Sequence, residues 1–350
     1  MSAERKRVWI IDCIKAVMII FVIVNHSNVF DKDNPFFLLF INPAVPIFMA
    51  LSGYVFAASC SRKSLKEMYA FPRIRKQFLR YFFPMMLTLI LWVLFEIIIK
   101  HLKLGPLMKK LLLADYGQGS YYFYLLVGLI FIMPILLVIV KKYMFLGLLC
   151  IGLATAGYEF ICHSVNLGVG VYRILVFRYM FHIGGGMIIF LIIDNHRKKQ
   201  NDCVGKLDVI MSILSMLVGA VYLCLPSFGY SYRFFSYPVW GRTSMITAFW
   251  ILPFLYWILK LCWSKDCKGM IGNIISLIGR SSYHIMYSQM IIYIPLYYKF
   301  DQMHMLSLSK RILALILIAA ASCLIGIVWK KVEDALIRQH HIAANKTKEV

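Results

Sequence analysis

Charged residues are what this chain has least of. They make up 15% of its 350 residues, and only 16 of them are acidic. A soluble domain of this size carries about a quarter. Hydrophobic residues reach 61%, more than a single interior can hide, which excludes an ordinary soluble fold. Metal-binding patterns are missing too. There is no Cys-x-x-Cys pair or Cys/His cluster, and several of the nine cysteines (Cys13, Cys150, Cys224 and Cys323) sit inside apolar blocks. They read as buried thiols, and no metal is expected. No Gly-x-Ser-x-Gly elbow occurs, which removes the usual setting for a serine nucleophile. No small-residue cleavage site follows the basic N-terminus, and the apolar run behind it holds Asp12 and Lys15. That run is therefore expected to be retained as a first span.

The apolar residues come in blocks of about 20, the length of a membrane-crossing helix. Lipid offers the backbone no hydrogen-bond partners, so continuous apolar blocks should be helices. The expected fold is an all-α polytopic bundle of about ten spans, near 8–30, 36–60, 81–100, 120–140, 143–162, 174–194, 207–226, 244–263, 271–298 and 311–330. The net charge of +22 lies in short loops between blocks, so it reads as a topology signal and not as a nucleic-acid surface. With the N-terminus inside, the inner segments hold 23 lysines and arginines and the outer ones 11. This bias places both termini in the cytoplasm, for a multi-pass protein of the inner or plasma membrane. Residues 1–335 are expected to form one transmembrane unit and 336–350 a cytoplasmic tail, whose His340 and His341 read as solvated.

Ionisable groups inside a span cost roughly 2.5–3.5 kcal/mol and so mark functional candidates. The first span contains Asp12, Lys15 and His26. Lys15 and His26 are eleven residues apart, three turns plus about 20°, so they share a face about 16 Å apart along the axis. Asp12 and Lys15 are spaced to neutralise each other. A cation low in this stripe suits an anionic donor arriving from inside, and a histidine higher up can exchange a proton near neutral pH. The other reading is structural: a charge pair joining helices and an interfacial histidine bonded to a loop.

The spacing Lys15-x10-His26 resembles the Arg/Lys-x10-His signature in the first helix of the acyltransferase-3 family of bacterial membrane acyltransferases. Three more segments fall in the family's order. The stretch from Val45 to Tyr54, with Pro46, Phe48, Ser52 and Gly53, resembles the family's Pro-x-Phe-Phe-x-x-Ser-Gly-Phe segment. Arg73 to Pro84 resembles its basic lead into the third span, and Gly279 to Ile285 its late Gly-x-x-Ser-Tyr-x-Ile. Gly117 to Phe123 and Arg178 with Gly184, Gly185 and Gly186 are looser echoes of the fourth and sixth spans. The chain departs from the family in having Gln289 where many members place a histidine, with His284 nearby.

The resemblance implies a stand-alone transferase that moves an acetyl or other short acyl group. The donor would be cytoplasmic acyl-CoA, and the acceptor a hydroxyl of a cell-envelope glycan or other sugar-containing molecule. Its partners would be acyl-CoA, that acceptor and membrane lipid, and no nucleic acid. Arg73, Arg75, Lys76 and Arg80 would meet the CoA phosphates, since guanidinium forks pair phosphate well. The same loop also reads as a plain positive-inside signal attracted to anionic lipid. Lys15, Arg178 and Ser52 would line the thioester's route or polarise its carbonyl. His26, with Lys15 and Asp12 below it, would be either a general base or an acyl relay. Tyr121, Tyr122, Tyr237 and Trp240 would offer flat faces to sugar rings. The outer loop carrying the last two also reads as an interfacial aromatic belt. A transporter or flippase of a small anionic or glycan substrate is the alternative function, although no internal repeat is visible.

Overall fold

A computed structural model describes residues 8–27, 29–101, 103–117, 119–165, 167–198, 205–230, 243–262, 269–303 and 307–346. Among them there are helices and turns and no strands. In chain order the helices are α1 (Trp9–His26), α2 (Ala44–Cys60), the one-turn α3 (Leu65–Met68) and α4 (Phe71–Ile98). Next come α5 (Leu104–Leu112), α6 (Tyr121–Ser164), α7 (Val169–Ile174) and α8 (Met180–Lys198). The last are α9 (Lys206–Cys224), α10 (Ala248–Cys262), α11 (Met270–Met303) and α12 (Leu308–Lys346).

The protein is a transmembrane helix bundle. Among the described residues, eight helical stretches are long and apolar enough to cross a membrane. One of them, α6, has 44 residues and reverses at Met144, whose φ of 37° and ψ of −105° are not helical. Past the reversal, a Cβ on Gly147 would lie 2.9 Å from the carbonyl oxygen of Ile139. In a continuous helix eight residues rise about 12 Å, so α6 is two antiparallel passes, broken where the apolar pattern predicts a boundary. With α11, itself 34 residues long, about ten passes result. α1 and α11 run in the same direction: Asp12 lies beside Ser276 and Arg280, and His26 beside Gln289.

Three boundaries differ from expectation for physical reasons. α4 starts at Phe71, with Pro72 at its first turn, so the basic stretch expected as a loop is helical. α5 occupies what reads as an outer loop and buries Leu107 while presenting Lys109 and Lys110. α12 continues through Lys346, well past the expected end of the last span at residue 330. No proline or glycine stops it, and Lys330 pairs with Asp334 one turn on. Its 39 residues rise about 58 Å, well beyond a hydrocarbon core of about 30 Å.

α1, α2, α8 and α11 supply much of the interior, while α9 turns Leu207, Ile210, Leu214, Leu217 and Val221 outward. Such a surface is at home in lipid, where polar groups must be satisfied within the protein. Glycines set the closest inner contacts, as is usual when small residues let membrane helices approach. A Cβ on Gly53 would sit 2.1 Å from the Ile183 carbonyl oxygen, one on Gly186 1.8 Å from that of Ala50, and one on Gly279 2.0 Å from that of Asp12. Gly186→Ala should therefore destabilise the bundle by about 1–3 kcal/mol, read as a lower melting temperature in detergent. Gly157→Ala, where a Cβ meets nothing within 4 Å, should melt like the wild type. Equal melting of both variants would contradict the α2–α8 contact.

Candidate functional site

The helical repeat puts Lys15, Ile19, Val22 and His26 on one face of α1, where all four line a cavity of about 260 Å³. Val45, Phe48 and Ser52 of α2, Gln77 and Arg80 of α4, Tyr121 and Tyr122 of α6, and Ser282 and Tyr283 of α11 close it. The Ser52 hydroxyl donates to the Phe48 carbonyl one turn back at 2.7 Å. Tyr283 donates to the Tyr81 carbonyl at 2.7 Å, fastening α11 to α4. Arg80 is exposed and belongs to the helical basic stretch with Arg75 and Lys76, also exposed. Arg73 turns back instead: its guanidinium donates to Cys60 Sγ at 2.6 Å and lies over the Phe56 ring.

A second cavity, of about 510 Å³, shares Val22, His26, Val45, Gly119 and Tyr121 with the first. Its other lining includes Lys32, Asn42, Trp92, Glu96, Lys100, Lys110, Asp115, Arg173 and Met290. His26 thus stands where two cavities meet. Gly117 (φ 132°) and Gly119 (φ 90°) carry the backbone past the imidazole in conformations that favour glycine. A Cβ on Gly119 would come within 3.8 Å of His26 Cε1.

Gln289 of α11, fully buried, places its Nε2 2.5 Å from His26 Nδ1. With the amide N–H donating, the Gln289 carbonyl oxygen is buried without a hydrogen-bond partner. With the amide turned over, Nδ1–H donates to that oxygen and Nε2 keeps its lone pair. Either way one ring nitrogen is held by protein and the other is left for chemistry. Asp12, 2% exposed, does not line either cavity. It accepts from Ser276 at 3.0 Å and from Arg280 at 3.4 Å, which pins α1 to α11.

The walls of the second cavity come from α1, α2, α4, α5, α6, α7 and α11 and from the segments between them. Buried Glu96 takes Lys100 at 2.5 Å and Lys110 at 3.2 Å. Arg173 donates to the carbonyls of Leu113 (3.0 Å) and Ala114 (2.7 Å) and to Asp115 (3.1 Å). These bonds hold Ala114 at a φ of 50°. Arg178 lies outside both linings. It is fully buried, with its guanidinium over the rings of Tyr179 (4.5 Å), Tyr172 (5.2 Å) and Tyr121 (5.5 Å), so it stands behind a cavity wall.

Of the residues singled out in the sequence, the structure gathers Lys15, His26, Ser52, Arg80, Tyr121 and Tyr122 around one cavity. Asp12, Arg73 and Arg178 are not among its lining residues. Tyr237 and Trp240 lie outside the described residues, as do His340 and His341 in their side chains. Sequence reasoning missed the partnership of Gln289 with His26, although it marked that position as a departure. It also missed Glu96, which an ionisable residue inside an apolar block should have flagged. Among the described residues no group of three or more His, Cys, Asp or Glu side chains is placed to hold a metal.

A family model described as an acyltransferase domain matches residues 8–329. No curated protein and no solved structure matches the chain. Replacing Asp12 by Ala removes the carboxylate that Ser276 and Arg280 share. Because Arg280 is half exposed, water screens part of its loss, and the expected destabilisation is about 1–2 kcal/mol. Thermal unfolding of Asp12→Ala beside Asp12→Asn, which keeps an acceptor for Ser276 and should lose less, would measure it.

Proposed function

We propose a specific reaction from one premise: the chain belongs to the acyltransferase-3 family, and it is a membrane acyltransferase. The reaction is transfer of an acetyl or other short acyl group from acyl-CoA to a hydroxyl of a cell-envelope glycan or other sugar-containing acceptor. The observation that carries this reading is the position of His26 at the meeting point of two cavities. A transferase needs such a point, since donor and acceptor must converge on one proton-transfer group.

In this proposal both termini lie in the cytoplasm of the inner or plasma membrane, and the first cavity takes the donor from that side. The CoA phosphates rest on Arg80 with Arg75 and Lys76 nearby, while Arg73 orders the start of α4. The pantetheine arm runs along the α1 face past Lys15 and Ser52, and the thioester stops beside His26. The acceptor occupies the second cavity, with Tyr121 as the shared wall and Tyr122 flanking the donor side. His26, donating Nδ1–H to the Gln289 carbonyl oxygen, uses the lone pair of its own Nε2 to remove the acceptor's hydroxyl proton. The oxygen attacks the thioester carbonyl carbon, the C–S bond breaks, and the proton passes to the CoA thiolate. Lys15, in the donor lining, supplies positive charge along the anionic donor's path.

His26→Ala should reduce thioester cleavage of acetyl-CoA to background while the purified protein melts normally. Unchanged CoA release would end this assignment. Rapid mixing of the protein with acetyl-CoA alone should give no burst of CoA release; a burst equal to the amount of protein would replace the general base by an acyl relay. Arg80→Ala should raise KM for acetyl-CoA by about tenfold with little change in kcat, as expected for a lost phosphate contact.

Gln289→Leu should lower kcat on the order of 10–100-fold and shift the pH profile, with KM for acetyl-CoA held. That is the signature of a misplaced base. Gln289→His, which keeps a donor and acceptor for the ring, should recover part of the rate.

A further inference from the structure

The second cavity holds more positive than negative charge, and the reaction described above leaves that excess unused. Lys32, Lys100, Lys110 and Arg173 line it against two carboxylates, Glu96 and Asp115. Arg173 is matched by Asp115. Glu96, buried to 2% exposure, is shared between Lys100 and Lys110, and Lys32 is the third ammonium in the lining. Four cations against two carboxylates give the lining a net charge of +2. The lining also includes Val22, Trp92 and Phe95, and apolar walls strengthen the pull of such charges on an anion. His26 belongs to the same lining, so an anion held there brings its neighbouring groups up to the imidazole.

We propose that the acceptor is itself an anion: a hydroxyl compound bearing a carboxylate or phosphate, of the uronic acid or sugar phosphate class. Its acidic group is held by Lys32 and Lys110 while its hydroxyl faces His26. This rests on the acyltransferase reading and on the acceptor's place in this cavity. The donor's phosphates are assigned to Arg80, at the other cavity, so the two anions do not compete.

The test is isothermal titration of the full chain in phosphatidylcholine nanodiscs. Glucuronate is compared with glucuronamide, and glucose 1-phosphate with methyl glucoside. At least one acid should bind on the order of tenfold more tightly than its neutral partner, with an advantage that shrinks as salt is added. Lys110→Met should raise the Kd of that acid by about tenfold and leave KM for acetyl-CoA unchanged, and Lys110→Arg should restore binding. The proposal is overturned if no acid outbinds its neutral partner. It is also overturned if Lys110→Met raises KM for acetyl-CoA instead.

Nanodiscs containing phosphatidylglycerol separate two sources of the anion. Label appearing on the lipid's glycerol identifies a headgroup acceptor, and label on the added acid identifies a soluble one; both support the anionic site. If acids bind selectively while His26→Ala and wild type release CoA equally, the anion site stands and the transferase reading falls.

Discussion

Asp12 is an ionisable group inside a membrane span, where such a group costs roughly 2.5–3.5 kcal/mol to insert. The cost is offset on α11, where Ser276 and Arg280 both donate to it. Gly279, between those two residues, lets the helices approach until a Cβ would strike the Asp12 backbone. Charge and close approach therefore act at the same level, and together they fix both the register and the rotation of α1 against α11. Farther along the same pair, that register brings Gln289 to His26 and the Tyr293 hydroxyl to the Ile23 carbonyl. The imidazole is thus positioned from a carboxylate nearly four turns away.

The rotation set by this contact also decides what the polar face of α1 looks upon. Lys15 and His26 turn neither to lipid nor into a packed interface, but to space enclosed by α2, α4, α6 and α11. The α2–α8 contact, drawn tight by Gly53 and Gly186, forms the second fixed wall. Against it, the glycine-bearing turn before α6 brings backbone close to the imidazole without a side chain in the way. One imidazole on two cavities is an arrangement in which a donor and an acceptor can meet while each keeps its own path. The charges of the two linings differ. The first has cations at Lys15 and Arg80, whereas in the second Lys100 and Lys110 share buried Glu96 and Arg173 pairs with Asp115.

Much of the fold was legible because its cause is local. Blocks of apolar residues mark spans wherever a chain enters lipid, and even the reversal at Met144 falls where the apolar pattern weakens at Lys141 and Lys142. Helix ends were less legible. α4 begins ten residues before its apolar block and α12 continues past its own, because helical propensity does not stop where hydrophobicity does. Within the site, Lys15 and His26 were readable as co-facial from helical spacing, while the role of Arg178 was not. An arginine stacked on three tyrosine rings and an arginine lining a cavity look the same in a linear pattern.

By itself, then, the sequence determined that this is a multi-pass helical membrane protein, that its first helix carries a polar stripe, and that its motifs follow one family's order. Those properties depend on composition, on the 3.6-residue repeat and on residues close together in the chain. Only the tertiary structure decided that Gln289 holds His26, that Arg280 holds Asp12, and that lysines from separate segments surround Glu96. Such partners lie far apart in the chain, and they are brought together by the angle and depth at which helices pack, which no periodicity encodes.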